Sequence, residues 1–170
     1  MKTLYMSKVY LGLGTNLGNK EENLHAAVQL IEKQIGKVIS LSAFYATAPW
    51  GFHSDNTFLN AAACVETTLS PEDVLTSTQQ IERDMGRTKK SAGGVYSDRL
   101  IDIDILLYDD LCMSLPNLVV PHPLMHQRDF VMRPLAEIAP DLMHPTLHKT
   151  IKELAASLEL QSFTMKKHKL

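Results

Sequence analysis

The spacing of apolar residues changes several times along the chain, and each change marks an element. Ser7 to Gly14 (SKVYLGLG) is a short apolar run closed by glycine, which predicts a buried strand. Asn19 is placed as a helix N-cap, with Glu22 three positions on in the manner of a capping box. Leu24, Ala27, Val28, Ile31 and Ile35 then follow helical spacing, and Gly36 ends that helix. Lys37 to Thr47 is rich in β-branched and aromatic residues and reads as a strand. Ala48 to Asn56 carries Pro49, Gly51 and Asp55 and reads as a loop. Thr57 to Thr67 is the next strand. Ser70-Pro71 caps and starts a second helix, with Val74, Thr78, Ile81 and Met85 on its inner face and Gly86 as its stop.

From Arg87 to Asp98 the period vanishes; two adjacent glycines and three cations give this stretch the character of a functional loop. Arg99 to Tyr108 (RLIDIDILLY) is the clearest strand. Leu118 to Pro123 reads as a proline-bounded loop. A third helix is expected over Arg128–Ile138 despite Pro134, a fourth near Lys149–Leu158, and a frayed basic tail at the end, within 159–170. The order strand, helix, strand, strand, helix, strand is the split βαβ pattern. The expected fold is therefore α+β: a ferredoxin-like βαββαβ core, one mostly antiparallel sheet with two helices on one face, and extra helices at the C-terminus.

Composition narrows the class without changing that picture. With 170 residues, 45% hydrophobic and 21% charged, the chain is expected to form one domain (1–170, core about 8–158) that folds without staples. Lys and Arg number 17 against 19 Asp and Glu, so the formal charge of −2 provides no global attraction to nucleic acid or anionic lipid. No apolar run reaches the length of a membrane span, and Met1 to Lys8 lacks the core of a signal peptide. Two cysteines make no disulfide framework; Cys64, in an apolar run, reads as a small core residue, and a reducing, cytoplasmic setting is expected.

The glycines near the start suit a tight strand-to-helix turn better than a nucleotide loop. Gly12, Gly14 and Gly18 are spaced one residue too long for the dinucleotide fingerprint, and no G-x-x-x-x-G-K-[ST] occurs. The stronger signal is Asp102-Ile103-Asp104. Strand alternation places both carboxylates on one face, roughly 7 Å apart, with Ile101, Ile103 and Ile105 facing the core. Such a pair repels itself and is costly to desolvate. A divalent cation removes the cost, and Mg²⁺ prefers one or two carboxylates with phosphate oxygens and water. The plainer alternative is a pair of solvated carboxylates. The surrounding cations favour the first: Arg99 just upstream, Arg87, Lys89 and Lys90 in the glycine-bearing loop, His122 and Arg128 downstream. Carboxylates ringed by cations suit phosphoryl transfer.

Phe58 and Asn60, two apart on one strand, share a face; Trp50 and Phe52 precede them, and Phe130 follows Arg128. A flat heterocycle could stack on such aromatics while the asparagine amide reads its edge. Core packing is the competing reading for Phe58. A ferredoxin-like RNA-binding module is disfavoured, because two aspartates on the presented strand repel a phosphate backbone.

The segments GLGTNLG, FYATAPWG, FLNAA, RLIDIDILLY and VPHPLMHQRDFVMRPLAEIAP, in this order from about Lys8 to about Leu158, resemble 6-hydroxymethyl-7,8-dihydropterin pyrophosphokinase, a folate-pathway family. The resemblance implies a ferredoxin-like enzyme that moves pyrophosphate from ATP to the hydroxymethyl group of a reduced pterin and releases AMP. It implies two Mg²⁺ ions on Asp102 and Asp104, with Arg87 and Arg99 assisting transfer at the phosphates. It implies ATP contacts at Gln79, Glu82, Lys89, Lys90, His122 and Arg128. It implies a pterin site in which Asn60 reads the ring edge, Phe58 and Phe130 sandwich it, and Thr47, Ala48 and Trp50 form a wall. Where the family often reads W-G-P-R, this chain reads Tyr96-Ser97-Asp98-Arg99, which puts Tyr96 at the lid position over the pterin. The family tends to be monomeric. The alternative in the same chemical class is another Mg²⁺-dependent phosphoryl or nucleotidyl transferase on this scaffold.

Overall fold

The computed structural model of the chain describes residues 5–47, 57–86 and 100–158. Its elements are β1 (Ser7–Thr15), α1 (Lys20–Gln34), β2 (Lys37–Leu41), β3 (Tyr45–Thr47), β4 (Phe58–Thr67), α2 (Pro71–Asp84), β5 (Asp102–Tyr108), β6 (Met113–Leu115), β7 (Leu118–Val120), α3 (Asp129–Ile138) and a last helix α4 over 151–158. The helix starts follow the expected chemistry. Asn19 accepts from the Glu22 backbone N–H at 3.2 Å, and Ser70 from that of Asp73 at 3.2 Å, each satisfying a donor that the first turn leaves open.

β1 is the central strand. The main sheet runs β2-β4-β1-β5, with β3 pairing β4 beyond β2, and every pairing is antiparallel. This is the strand order of the ferredoxin-like core. Gly36 lets α1 turn tightly into β2: a Cβ there would lie 1.9 Å from the Glu66 carbonyl oxygen, so no other residue fits.

Two features differ from the sequence expectation, and a third extends it. The strand expected over Lys37–Thr47 is two strands, because at Ser42 the side chain joins the ladder: the Ser42 hydroxyl oxygen accepts from the Ala62 backbone N–H at 2.9 Å, and pairing resumes only at Tyr45. The loop expected over Leu118–Pro123 contains β7, hairpinned to β6 through the two-residue turn Pro116-Asn117. The C-terminal helices expected beyond the core are present, packed on the sheet. They cover part of its second face.

Alternation along the strands gives each face its own core. Val9, Leu11, Leu13, Ala61, Ala63, Val65, Ile103 and Ile105 pack on Leu24, Ala27 and Ile31 of α1 and Val74 and Ile81 of α2. Tyr10, Ala62, Cys64, Leu106 and Leu107 point the other way, onto Val131, Met132 and Leu135 of α3 and Ile151 and Leu154 of α4. The register shifts between Tyr10 and Leu11, so Leu106 is an extra residue in β5. That bulge puts Leu106 and Leu107 into the same cluster and returns Tyr108 to the first face. Cys64 is a free, buried thiol of this second core, as expected; Cys112 is free and exposed. Among the described residues, no helix is long and apolar enough to cross a membrane.

Candidate active site

Beyond the bulge, the second face of the three strands carries Gly12, Gly14, Asn60, Asp102 and Asp104, with Ala62 the one aliphatic side chain among these paired positions. Gly14 of β1 is paired with Asn60 on one side and Asp102 on the other; Gly12 is paired with Ala62 and Asp104. Two rows of residues therefore cross three strands: Asn60–Gly14–Asp102 and Ala62–Gly12–Asp104. A Cβ on Gly14 would stand 3.0 Å from the Asn60 Oδ1 and 3.8 Å from a ring carbon of Phe58. The bare glycine is what lets Asn60 lie down over the central strand. A Cβ on Gly12 would meet Leu106 at 3.5 Å, an ordinary contact, so the two glycines are not equivalent. The strand-to-helix turn reading holds for Gly18, whose φ is +65°; Gly12 and Gly14 instead form the floor between the asparagine and the aspartates. Sequence reasoning missed this role, since only cross-strand register reveals it.

Asn60 is buried, and its Nδ2 donates to the Thr47 hydroxyl of β3. One end of the amide is thereby fixed. Its Oδ1 and second N–H remain as an adjacent acceptor and donor, a pair able to hydrogen-bond the edge of a flat heterocycle. Arg128, the residue before α3, places its guanidinium carbon 5.7 Å from the ring centre of Phe130.

The aspartates stand on the edge strand, held from outside by α2. Glu82 is buried, and its Oε2 accepts from the Ile103 backbone N–H at 2.9 Å, between the two aspartates in sequence. Glu82 thus supports β5 directly, whereas Gln79, one turn earlier, is exposed. Burial, and then the neighbouring Asp102, push the Asp104 carboxyl up to about 7; Glu82 adds to the rise and Arg128 opposes it. His122 is pushed down by burial and by Arg128, against the pull of Asp102. Its Nδ1 accepts from the Leu124 backbone N–H at 3.2 Å, so the neutral ring carries its proton on Nε2 and offers one donor. Next to His122 lies a cavity of about 420 Å³, bordered by Met113, Val119, His126 and His144.

Among the described residues, no three His, Cys, Asp or Glu side chains gather into a metal site. Two carboxylates on one face still fit Mg²⁺, which keeps water and phosphate oxygens in its remaining positions. Their placement on one face, opposite Gly14 and Gly12, is the structural sign, and a carboxyl raised beside a second acid is one whose charged form a cation stabilises.

The structure therefore brings Thr47 to Asn60, Phe58 to Gly14, and Arg128 to Phe130, with Asp102, Asp104, Glu82 and His122 in one electrostatic neighbourhood. Ala48, Trp50, Arg87, Lys89, Lys90, Tyr96 and Arg99 lie outside the described residues.

A model of the 7,8-dihydro-6-hydroxymethylpterin-pyrophosphokinase family matches residues 10–140. A 2-amino-4-hydroxy-6-hydroxymethyldihydropteridine pyrophosphokinase of Porphyromonas gingivalis is 51% identical over 82% of this chain and 95% of its own length. The folic acid synthesis protein FOL1 of Dictyostelium discoideum is 42% identical over 88% of this chain, which spans 22% of that larger protein. In structure, the Plasmodium falciparum HPPK-DHPS protein crystallised with pteroate superposes with a TM-score of 0.79 at 17% identity, covering 99% of this chain and 47% of that one.

Proposed function

The chain belongs to the 7,8-dihydro-6-hydroxymethylpterin-pyrophosphokinase family, and from that membership we propose that it transfers pyrophosphate from ATP to 6-hydroxymethyl-7,8-dihydropterin, releasing AMP, in folate synthesis. The observation that carries the reading is the row Asn60–Gly14–Asp102. A group able to read a heterocycle edge and a group able to hold a metal–phosphate complex stand two strand spacings apart, about 10 Å, over a floor without side chains. A bicyclic ring with a one-carbon arm bridges that interval.

In this reading Asn60, held by Thr47, hydrogen-bonds the pterin edge, and Phe58 and Phe130 stack on its faces. Asp102 and Asp104 hold Mg²⁺, which when bound neutralises the phosphates. Arg128 and the Nε2–H of His122 bind phosphate oxygens of ATP. Glu82 keeps β5 in place behind the aspartates. The hydroxymethyl oxygen attacks the β-phosphorus, the bond from that phosphorus to the α,β-bridging oxygen breaks, and the electron pair leaves on AMP. The hydroxyl proton goes to solvent. Positioning and charge neutralisation supply the acceleration, since no described residue stands as a strong base. Arg87, Arg99, Lys89 and Lys90 complete the phosphate site, and Ala48, Trp50 and Tyr96 the pterin site, on the strength of the sequence motifs. The chain is read as one domain and a monomer, and as cytoplasmic in keeping with its two free cysteines.

The test is a product assay with ATP, Mg²⁺ and 6-hydroxymethyl-7,8-dihydropterin. AMP formed only when all three are present is the expected result. ADP in place of AMP would mean attack on the γ-phosphorus, and a different phosphoryl transferase.

A further inference from the structure

We propose that Glu137, at the far end of α3, is a positioning residue for the pterin pocket. This rests on the reading of Thr47 and Asn60 as pterin-side residues.

The pocket wall is carried by β3, a strand of only three residues that begins after the break in the sheet edge at Ser42. Such a short piece has little ladder to hold it. Its start is held instead from α3. The Ala43 backbone N–H lies 3.2 Å from Glu137 Oε1 and 3.0 Å from Oε2, and the Tyr45 hydroxyl donates to Oε1. One carboxylate thus ties down the chain on both sides of Phe44. Accepting the phenol's hydrogen bond also holds the Tyr45 hydroxyl in its protonated form, raising its pKa above the usual range. Two residues on, Thr47 takes the Asn60 amide.

The opposite end of the same helix carries Arg128 and Phe130. α3 therefore connects the aromatic and phosphate side of the site, at its N-terminus, to the asparagine side, through Glu137. Between them the helix is anchored by Val131, Met132 and Leu135 in the second core, so the connection is stiff. Arg133, the nearest cation to this contact on α3, is engaged by Asp129 at 3.0 Å. Glu137 itself is exposed and joins neither hydrophobic cluster, so its hydrogen bonds, not its burial, define what it does.

The experiment measures KM for each substrate separately, with kcat and thermal midpoint, for Glu137→Ala, Glu137→Gln, Tyr45→Phe and Asn60→Ala. Expected are a rise in pterin KM of about fivefold or more for Glu137→Ala, an ATP KM within twofold of wild type, and partial recovery in Glu137→Gln, whose amide oxygen still accepts from Ala43. Tyr45→Phe, which leaves the Ala43 bond intact, falls between. An unchanged pterin KM in Glu137→Ala, alongside a raised one in Asn60→Ala, overturns the proposal. So does an equal rise in both KM values. An unchanged pterin KM in Asn60→Ala overturns the reading of the pocket itself, and this proposal with it.

Discussion

On the face of the sheet turned away from α1 and α2, the half around the Leu106 bulge and the half beyond it are made from the same three strands by opposite rules. In the first half Tyr10, Ala62, Cys64, Leu106 and Leu107 are closed over by α3 and α4. Burying a side chain such as Leu107 contributes about 1.5–3 kcal/mol. In the second half the corresponding positions hold Gly12, Gly14, Asn60, Asp102 and Asp104, and the two acids repel each other. The first half stabilises the strands; the second uses their rigidity to hold polar groups in a geometry that they would not adopt for stability alone. The largest effect expected from this contrast is on turnover. Replacing Asp102 or Asp104 by alanine should lower AMP formation by about 10³-fold, the scale of several kcal/mol of lost charge stabilisation, with no loss of thermal midpoint. Near-normal turnover at saturating Mg²⁺ would remove the metal assignment.

The same substitution type in the other half should do the reverse. Leu107→Ala deletes a side chain that is 1% exposed, and should destabilise the fold by about 2–5 kcal/mol. Denaturant unfolding checks this, with kcat of the folded protein expected within about twofold of wild type. If Leu107→Ala slowed turnover as strongly as the aspartate variants, the two halves would not be separable.

The glycines sharpen the division on a finer scale. Gly14→Ala drives a methyl group to 3.0 Å from Asn60 Oδ1, whereas Gly12→Ala meets Leu106 at 3.5 Å. The first should raise pterin KM by roughly tenfold, about 1.4 kcal/mol, and the second should leave it within about twofold. Equal effects from the two would show that the floor acts as a whole instead of through the asparagine.

These residues also mark how far the sequence could be read. The two aspartates were legible because Ile101, Ile103 and Ile105 alternate with them, and the structure buries all three isoleucines. The helix caps were legible because capping is local. What escaped was set by partners distant in sequence. Nothing near Gly12 and Gly14 announces that Asn60 lies across one strand and Asp102 across another. Leu118 to Val120 reads as a loop because prolines flank it, and becomes a strand through pairing with Met113 to Leu115. The apolar stripe of α3 predicts a buried face, but not which side of the sheet receives it. Glu82 was expected from the family motif as an ATP contact, and its geometry adds a bond to the Ile103 backbone that no motif encodes.

The smallest effect expected is also the one that tests the division by stability alone. In the metal-free protein the Asp104 carboxyl is raised to about 7, chiefly by burial and then by Asp102. An acid raised on folding binds more protons in the folded than in the unfolded state, so its contribution to stability is full below the ordinary carboxylate range, near pH 4, and is lost as pH rises towards 7. Asp104→Asn removes that titration. Other acids titrate in the same window, but the difference between wild type and variant isolates this one. At pH 8 without metal the variant should melt higher, by at least the 2–4 °C that ~1 kcal/mol produces in a chain of this size. At about pH 4, where the ordinary carboxylate range begins, most of the advantage should be gone. Added Mg²⁺ should raise the wild-type midpoint at pH 8 and leave the variant's nearly unmoved, because the cation relieves a repulsion that the amide no longer has. A variant no more stable than wild type at pH 8 would mean that the polar half of the face is not strained by its carboxylates, and that the contrast between the two halves lies in packing alone.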